Sequence, residues 1–253
     1  MVSPNYDRDR VALVTGAGRG LGAHIARALA GAGLIVAVND LVAGPDARRV
    51  VDDIRATGGR AGLFPADVTD EDAVAALVAA VERELGPVDV LVPNATGPQP
   101  VIGVEDLTWS DHLDQLVFFV KSPTLLVQAV LPGMKRRGGG RVINIGSDLF
   151  ERAAPGTSAY SAAKGAQLGL TRTWARELGP HAITVNLVAP GWIPVERHAG
   201  TPPEVLKEYA DEVALRRFGT PAEVAAAVVF LASPSAGFIT GERIAVNGGH
   251  VLA

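Results

Sequence analysis

The sequence predicts an α/β protein with a doubly wound parallel sheet of about seven strands and helices on both faces. Short apolar runs of strand length alternate with longer segments of helical periodicity along the whole chain. The chain has 253 residues, which is enough to bury one large core, and no linker, internal repeat or low-complexity tract divides it. We therefore expect a single domain over residues 1–253.

The predicted elements follow in a regular order. Strands are expected at 11–14, 34–38, 60–65, 88–92, 141–145, 183–188 and 244–246. Helices are expected after the first glycine run, at 45–57, after Thr69, over 105–136 as one helix or two, at 158–178 and after Thr220. Thr220-Pro-Ala-Glu223 is a capping box with proline at the first helical position.

The first predicted strand runs into a glycine-rich turn. Residues 15–22 read Thr-Gly-Ala-Gly-Arg-Gly-Leu-Gly. Glycine lets the backbone approach a ligand closely, and the N-terminus of the following helix offers free N–H groups to a pyrophosphate. Asp40 ends the second strand, about 20 residues later, where a dinucleotide fold binds the adenosine ribose. The order of these elements predicts a dinucleotide site, although glycines alone could form a mere flexible turn.

Tyr160 and Lys164 are four residues apart in a predicted helix, so their side chains share one face. A cation beside the phenol would lower its pKa from about 10 and allow proton transfer near neutral pH. Ser147 lies thirteen residues before the tyrosine and could hydrogen-bond the same substrate oxygen. Such a pair is also common as a half-buried tyrosine and a solvated lysine, and the glycine-rich turn favours the catalytic interpretation.

These motifs resemble those of the short-chain dehydrogenase/reductase family, and the resemblance runs nearly end to end. The matching segments are Thr15 to Gly22, Asp67-Val68, Asn94-Ala95, Ser147, Tyr160 with Lys164, Pro190-Gly191, Phe238 to Gly241 and Val246 to Gly249. The resemblance implies a Rossmann-type fold and an oxidoreductase that interconverts a secondary alcohol and a ketone. It implies that Ser147 orients the substrate oxygen, Tyr160 transfers the proton and Lys164 binds the nicotinamide ribose.

The resemblance also implies which residues bind the cofactor. They are Gly16, Arg19, Gly20, Leu21, Gly22, Asp40, Asp67, Val68, Asn94, Ala95, Tyr160, Lys164, Pro190, Gly191 and Ile193. The carboxylate of Asp40 would accept hydrogen bonds from the ribose and repel the 2′-phosphate of NADP, so NAD(H) is favoured. Arg19 could pair with that phosphate, which leaves NADP(H) as the alternative.

The segment 191–219 differs from the rest of the chain because no sheet strand fits its sequence, and we expect it to be a substrate lid. Trp192 and Tyr209 are the candidate substrate-contacting residues, with packing of the lid onto the body as the alternative role. His198, in the same segment, is expected at the surface.

Four positions depart from the family pattern. Phe119 stands where the family carries an asparagine, and Val195, Pro93 and Thr96 change the surroundings of the nicotinamide. We expect another polar group to contact Lys164, either the side chain of Gln115 or Ser122 or a backbone carbonyl. The alternative is that the phenylalanine only fills the core.

Composition excludes several classes of function. There is no cysteine, and the five histidines are scattered singly, so we expect no disulfide, thiolate catalysis or metal site. The net charge of −4 and a single short basic run argue against nucleic-acid binding. The apolar stretches look too short to span a bilayer and the first nine residues are polar, so we expect a cytoplasmic protein with no membrane contact.

The substrate is left open. We expect a small-molecule carbonyl or alcohol, and a β-ketoacyl thioester reductase is one alternative within the same family. A dinucleotide-binding sensor or scaffold with little turnover is another, and an enzyme that keeps the nucleotide for a non-redox or multi-step reaction is a third. The resemblance also implies a homo-oligomer, most simply a tetramer.

Overall fold

The structure, a computed structural model, describes residues 9–196 and 200–252. Seven parallel strands form one sheet in the order β3-β2-β1-β4-β5-β6-β7. The prediction of a doubly wound parallel sheet is confirmed. The strands are β1 (Val11–Val14), β2 (Ile35–Asp40), β3 (Ala61–Pro65), β4 (Val88–Val92), β5 (Gly140–Ile145), β6 (Ile183–Pro190) and β7 (Arg243–Val246).

Nine α-helices are formed by the described residues, and two of them, α6 and α8, were not predicted. Proline stands at the first position of α8, inside the segment expected to be a lid. The helix after the third strand is capped by Asp70, whose side chain accepts from the Ala73 N–H, and not by Thr69 as expected. The helices are α1 (Gly20–Gly31), α2 (Pro45–Ala56), α3 (Glu71–Glu84), α4 (Trp109–Leu116), α5 (Ser122–Arg137), α6 (Leu149–Arg152), α7 (Ser158–Leu178), α8 (Pro203–Glu212) and α9 (Pro221–Ala232).

The core lies on both faces of the sheet because successive strand residues point to opposite sides. Ala12 and Val14 of β1 pack in a cluster that includes residues of α1, α2 and α9. Val11 and Leu13 pack in a second cluster with residues of α3 and α5. Buried on both faces, β1 reads as a continuous apolar run, as expected for the interior of a parallel sheet.

The sheet order places a crevice at the carboxyl ends of β1 and β4. The chain leaves β1 toward β2 on one side and later returns to β4 on the other, which makes this the topological switch point. Ligands of open α/β sheets bind outside the carboxyl ends of the strands at such a point. The loops that follow β1, β4, β5 and β6 therefore determine the site.

One helical segment, Trp109–Arg137, is long and apolar enough by length and composition to cross a membrane, with a mean hydropathy of 1.5. This differs from the expectation that every apolar stretch is too short. Core helices pass the same test, and Leu126, Val130 and Met134 of this segment are buried in the core against the sheet. Packing against the sheet accounts for this part of its apolar character.

Candidate active site

A cleft of about 1060 Å³ lies at the carboxyl edge of the sheet. The loops after β1, β4, β5 and β6 line it, together with Asp40 at the end of β2 and two residues of α7. The predicted site residues along its wall are Gly16, Arg19, Gly20, Leu21, Gly22, Asp40, Asn94, Ala95, Ser147, Tyr160, Lys164, Pro190, Gly191, Trp192 and Ile193. Asp67, Val68 and Tyr209 are not part of that wall.

The glycine-rich turn approaches its neighbours so closely that side chains would not fit. Gly16 has φ +60°, and a Cβ there would lie 2.8 Å from the Cα of Ala95. A Cβ on Gly22 would lie 2.3 Å from the carbonyl oxygen of Gly16. Helix α1 begins at Gly20 with no acidic residue in its own first turn, and the carboxylate of Glu196 lies 3.7 Å from where a Cβ on Gly20 would be. The backbone N–H groups of this helix end favour a negatively charged ligand. The turn fits a pyrophosphate.

Thr15 and Asn94 fasten this turn to the segment after β4. The Thr15 hydroxyl accepts from the backbone N–H groups of Asn94 at 3.0 Å and Ala95 at 3.1 Å. The Asn94 amide donates to the carbonyl oxygens of Thr15 at 2.9 Å and Gly16 at 3.2 Å. The segment therefore shapes the glycine-rich turn even though Pro93 and Thr96 depart from the family pattern.

The carboxylate of Asp40 is held in place at the end of β2. One oxygen accepts from the Gly18 N–H and the other from the Leu41 N–H, both at 2.8 Å. A Cβ on Gly18 would lie 2.3 Å from the same carboxylate, so only glycine fits there. Arg19, beside it, is exposed and also lines the cleft. Both determinants of cofactor choice thus lie at the same end of the cleft.

Asp67 and Val68, assigned to the cofactor by resemblance, lie beside the cleft. Asp67 is exposed and accepts hydrogen bonds from the Thr69 N–H at 2.8 Å and hydroxyl at 2.7 Å. These bonds hold the pKa of the Asp67 carboxyl below its ordinary value. Val68 is buried in the core. Asp67 therefore shapes the turn that leads into α3.

Ser147, Tyr160 and Lys164 converge on the cleft from two elements. Ser147 follows β5, and its hydroxyl accepts from the Leu149 N–H at 3.1 Å. Tyr160 and Lys164 project from α7, where the lysine nitrogen lies 5.7 Å from the centre of the tyrosine ring. The lysine is buried and the tyrosine is half-buried. The arrangement places a hydroxyl, a phenol and a cation along one wall.

The polar group that contacts Lys164 is neither Gln115 nor Ser122, so those two candidates were wrong. The Gln115 amide donates instead to the Pro98 carbonyl at 2.9 Å. The Lys164 ammonium donates to the carbonyl oxygen of Ile145 at 2.7 Å, which fits the backbone-carbonyl alternative, and to the side-chain oxygen of Gln167 at 3.2 Å. Spacing could have indicated Gln167, because residues three apart share a helix face.

Phe119 lies directly against the lysine. It belongs to a π-helical turn, Val117–Lys121, that joins α4 to α5. The Lys164 nitrogen lies 3.7 Å from the centre of its ring, and the ring meets Tyr160 edge to face at 5.3 Å. The aromatic ring therefore contacts both α7 residues of the site and does more than fill space.

Trp192 and Tyr209 differ in placement. Trp192 lines the cleft. Tyr209 of α8 is 5 % exposed and stacks on Phe218 at 4.9 Å, and its hydroxyl accepts from the Trp192 N–H at 2.7 Å. Burial raises the pKa of the Tyr209 phenol. This placement fits the packing alternative for Tyr209, whereas His198 lies outside the described residues.

Three ionisable residues of the cleft wall, Asp148, Arg152 and Glu196, were missed. Asp148 follows Ser147 directly and is 2 % exposed, and burial raises the pKa of its carboxyl. One imidazole nitrogen of His250 lies 3.4 Å from Asp148, and the other lies 3.2 Å from Glu212 of α8. No sequence signal predicts this group, because His250 is about a hundred residues away along the chain.

We expect Asp148→Asn to raise the melting temperature at pH 7. The folded-state pKa is raised, so the native chain binds more protons than the unfolded chain between the two pKa values. Stability therefore falls as pH rises through that window and stays reduced above it. Asparagine keeps the shape without the charge, and each 1 kcal/mol gained raises Tm by about 2–4 °C. The gain should fade below the ordinary carboxyl pKa of 3.8.

Circular-dichroism melts at neutral and acid pH measure this effect. Asp111→Asn is the control, because hydrogen bonds from Thr108 lower the pKa of that carboxyl and its removal should give no gain at pH 7. A lower Tm for Asp148→Asn at pH 7 would show that attraction to Arg152 and His250 outweighs the cost of burying the carboxylate.

Comparison with known proteins agrees with this geometry. The family model described as enoyl-(acyl carrier protein) reductase matches residues 16–250. The short-chain reductase protein NovJ of Streptomyces niveus is 42% identical, over 96% of this chain and 94% of that protein. The 3-oxoacyl-[acyl-carrier-protein] reductase FabG of Staphylococcus epidermidis is 38% identical, over 96% of this chain and all of that protein.

The chain belongs to the short-chain dehydrogenase/reductase family. A solved 3-oxoacyl (acyl-carrier-protein) reductase from Agrobacterium tumefaciens with NADP bound superposes with a TM-score of 0.89 at 36% identity, covering 96% of this chain and 94% of the other. This short-chain dehydrogenase/reductase is thus an oxidoreductase by family with a Rossmann-like fold, and its cofactor class is a nicotinamide dinucleotide.

Proposed function

We propose that this oxidoreductase interconverts a secondary alcohol and a ketone, with Tyr160 as the acid/base. The observation that carries the proposal is that Ser147, Tyr160 and Lys164 line the same cleft as the glycine-rich turn and Asp40. A proton donor, a hydrogen-bonding hydroxyl and a dinucleotide cradle in one cleft are the parts that carbonyl reduction needs.

Each of these site residues has a defined part in the proposed reaction. Gly16, Gly22 and the N-terminus of α1 would hold the pyrophosphate of the dinucleotide, which when bound supplies or accepts the hydride. Ser147 donates a hydrogen bond to the substrate oxygen. In reduction Tyr160 gives its proton to that oxygen, and in oxidation the phenolate takes the proton back. The ammonium of Lys164 favours the phenolate and keeps its pKa within reach of neutral pH.

A direct assay tests the proposal. The purified chain is given NADH or NADPH with ketones and β-keto thioesters, and NAD or NADP with secondary alcohols and sugars, while reduced-nicotinamide absorbance is followed. Turnover that disappears in Tyr160→Phe supports the proposal. Tight dinucleotide binding with no turnover across the panel would favour the sensor or scaffold alternative.

The β-ketoacyl thioester alternative rests on the comparisons. Two of the relatives described above are named 3-oxoacyl-(acyl-carrier-protein) reductases. The same residues would act on such a thioester, because the reduced group is again a ketone. A kcat/KM for 3-oxobutanoyl-CoA well above that for simple ketones would favour this substrate class, and an enoyl thioester tests the reaction for which the family model is named.

We propose NAD(H) as the preferred cofactor. Asp40 presents a fixed carboxylate at the adenosine end and already occupies the Gly18 N–H, which is thereby withdrawn from any phosphate. The repulsion between this carboxylate and a 2′-phosphate is the physical basis of the preference. Arg19 and the NADP bound to the solved relative from Agrobacterium weigh toward NADP(H).

We expect Asp40→Ser to shift the preference toward NADPH. Serine still caps the Gly18 N–H region but carries no charge, so Arg19 can pair with the phosphate. The ratio of kcat/KM for NADPH to that for NADH should rise by at least about tenfold, which corresponds to about 1.4 kcal/mol. Asp46→Ser, at an exposed position in the first turn of α2, is the control. A wild-type enzyme that prefers NADPH tenfold would contradict the assignment itself.

We further propose a homo-oligomer, with a tetramer as the simplest form. Two groups of exposed apolar side chains support this: one around α4 and the loop before it, and one near the C-terminus. They are Val101, Val104, Trp109 and Leu113, and Phe230, Phe238 and Leu252. Light scattering should give a mass of several chains, and a concentration-independent monomer of 26.2 kDa would contradict the proposal.

A further inference from the structure

Arg152 places a positive charge on the substrate side of the cleft. It ends α6, five residues after Ser147, and lines the cleft while half-buried. The strand that precedes α6 is β5, and β5 lies three strands from β2, the strand that carries Asp40. At about 4.8 Å per strand the two strands are roughly 14 Å apart. The guanidinium is therefore far from the adenosine end, where a 2′-phosphate would bind.

No carboxylate of the described residues pairs with this guanidinium within 4.0 Å. The acids nearby form their direct contacts elsewhere: Glu151 pairs with Arg243, while Asp148 and Glu212 contact His250. The charge of Arg152 acts on Asp148 only through space, where it opposes the rise in the pKa of that carboxyl. The guanidinium of Arg152 lies over the ring of Tyr209, with 5.5 Å between its central carbon and the ring centre. Since Tyr209 is buried and anchored to Trp192, it fixes the direction of the arginine.

We infer that Arg152 binds an oxyanionic group of the substrate, a carboxylate or a phosphate, and so selects anionic keto or hydroxy compounds. This inference rests on the proposed function. A half-buried cation that forms no direct ion pair in the described part of the chain gains from a ligand that supplies an oxyanion at hydrogen-bond distance, and the planar guanidinium binds oxyanions with two parallel hydrogen bonds. The anionic group would lie beyond the carbonyl that Ser147 and Tyr160 engage.

The test compares three probes that share one ketone. Reduction is measured with 3-oxobutanoate, which carries a carboxylate, with its neutral ethyl ester, and with 3-oxobutanoyl-CoA, which carries phosphates. Arg152→Met keeps the aliphatic bulk over Tyr209 and removes the charge. The ratio of kcat/KM for the recognised anion to that for the ester should fall at least tenfold, through KM. The exposed Arg172→Met should leave the ratio unchanged.

The outcomes separate this inference from the proposed function. If the kcat/KM ratio falls for 3-oxobutanoate, the anion that Arg152 binds is a substrate carboxylate. If the ratio falls only for the CoA thioester, the anion is a phosphate. If Arg152→Met changes kcat/KM equally for all three probes, or changes it for none, the inference about Arg152 is overturned. The proposed alcohol–ketone reaction is unaffected by that outcome. Calorimetry can measure the binding of 3-hydroxybutanoate, its ethyl ester and 3-hydroxybutanoyl-CoA to the enzyme–NAD complex without turnover. If neither anion binds more tightly than the ester, the inference about Arg152 is also overturned.

A second, independent observation concerns Lys164. Its ammonium is 3.7 Å from the centre of the Phe119 ring, and it donates to Gln167 and to the Ile145 carbonyl. Phe119 and Gln167 are 3 % and 1 % exposed, so bulk water does not screen these contacts. An ammonium over an aromatic face gains the most when it is desolvated in this way.

The geometry points to Phe119 and Gln167 as positioning residues that together hold Lys164, in place of the asparagine that this chain lacks. The π-helical turn delivers the ring to one side of the ammonium, and α7 delivers the amide oxygen three residues after the lysine. Neither group can pass on a proton, because a phenyl ring has none to give and an amide is neither acid nor base near neutral pH. The pair orients the cation toward Tyr160 and the ribose and does not itself relay protons.

Gln167→Leu and Phe119→Leu test this role. Each should lower kcat by roughly twofold to thirtyfold. For Phe119 this spans exposed to desolvated cation–aromatic contacts, and for Gln167 it overlaps the loss of a hydrogen bond to a charged group. Each should also raise the acid-limb pKa of alcohol oxidation, because a displaced cation stabilises the Tyr160 phenolate less. Phe119→Tyr keeps an aromatic face and should retain the wild-type pH profile.

A double-mutant cycle excludes a purely structural role. In a Lys164→Met background, Gln167→Leu should cause no further loss of kcat, since its effect passes through the lysine. Losses that add fully in that background, or an unshifted pH profile in the single variants, would overturn the inference. A tenfold rise of kcat in Phe119→Asn would do so too, by showing that the missing asparagine has not been replaced.

Discussion

Tyr160→Phe is expected to lower kcat by about 10²–10⁴ while NAD binding stays near the wild-type value. The phenyl ring can keep the edge-to-face contact with Phe119, so the local packing survives. The glycine-rich turn and Asp40 are untouched, and they are the part of the cleft that would hold the phosphates and the adenosine ribose. The loss is therefore confined to the transferable proton.

Steady-state rates and fluorescence titration with NADH measure the two quantities separately. Tyr209→Phe is the matched control, because it removes a hydroxyl from a buried tyrosine that is not part of the cleft wall. It should retain more than a tenth of kcat. If Tyr160→Phe also retained more than a tenth, another residue would be the acid/base.

The sheet could be predicted well because its signals are local. The apolar runs that gave β1 and β4 have the same ends in the structure, since a strand buried on both faces leaves little room for polar residues. Helix α7 was also predicted with its observed ends. Helices α6 and α8 were missed, because α6 has only four residues and α8 begins at the second of two consecutive prolines in a segment without clear periodicity.

The candidate site was predicted where it depends on spacing and missed where it depends on the fold. Gly16, Asp40 and Lys164 were located by their distance from neighbouring motifs, and all three line the cleft. Gln167 was missed although its spacing from Lys164 puts both side chains on one helix face. Phe119 reaches the ammonium through a π-helical turn, and no local pattern indicates that turn. Asp148 acquires its partner His250 only when the C-terminal segment folds back over the cleft.

Lys164→Ala is expected to lower both kcat and the affinity for NAD. Loss of a nearby cation raises the pKa of an acid by about one to three units, so the phenolate of Tyr160 would become about 10- to 1000-fold scarcer near neutral pH. The acid limb of the pH profile for alcohol oxidation should therefore move upward by about one to three units, and activity should partly recover in alkali. NAD affinity falls because the resemblance places the same ammonium on the nicotinamide ribose.

The variant also has a structural cost, which a melting curve separates from the catalytic effect. Removing the ammonium leaves the buried acceptors of Gln167 and Ile145 without their donor, which costs about 1–3 kcal/mol for an unsatisfied buried group. Lys121→Ala, at an exposed lysine of the adjacent π-helical turn, is the control. It should leave the melting temperature, the pH profile and the NAD affinity unchanged. A lowered Tm with an unshifted pH profile and unchanged NAD affinity would mean that Lys164 supports the fold of α7 and takes no part in the reaction.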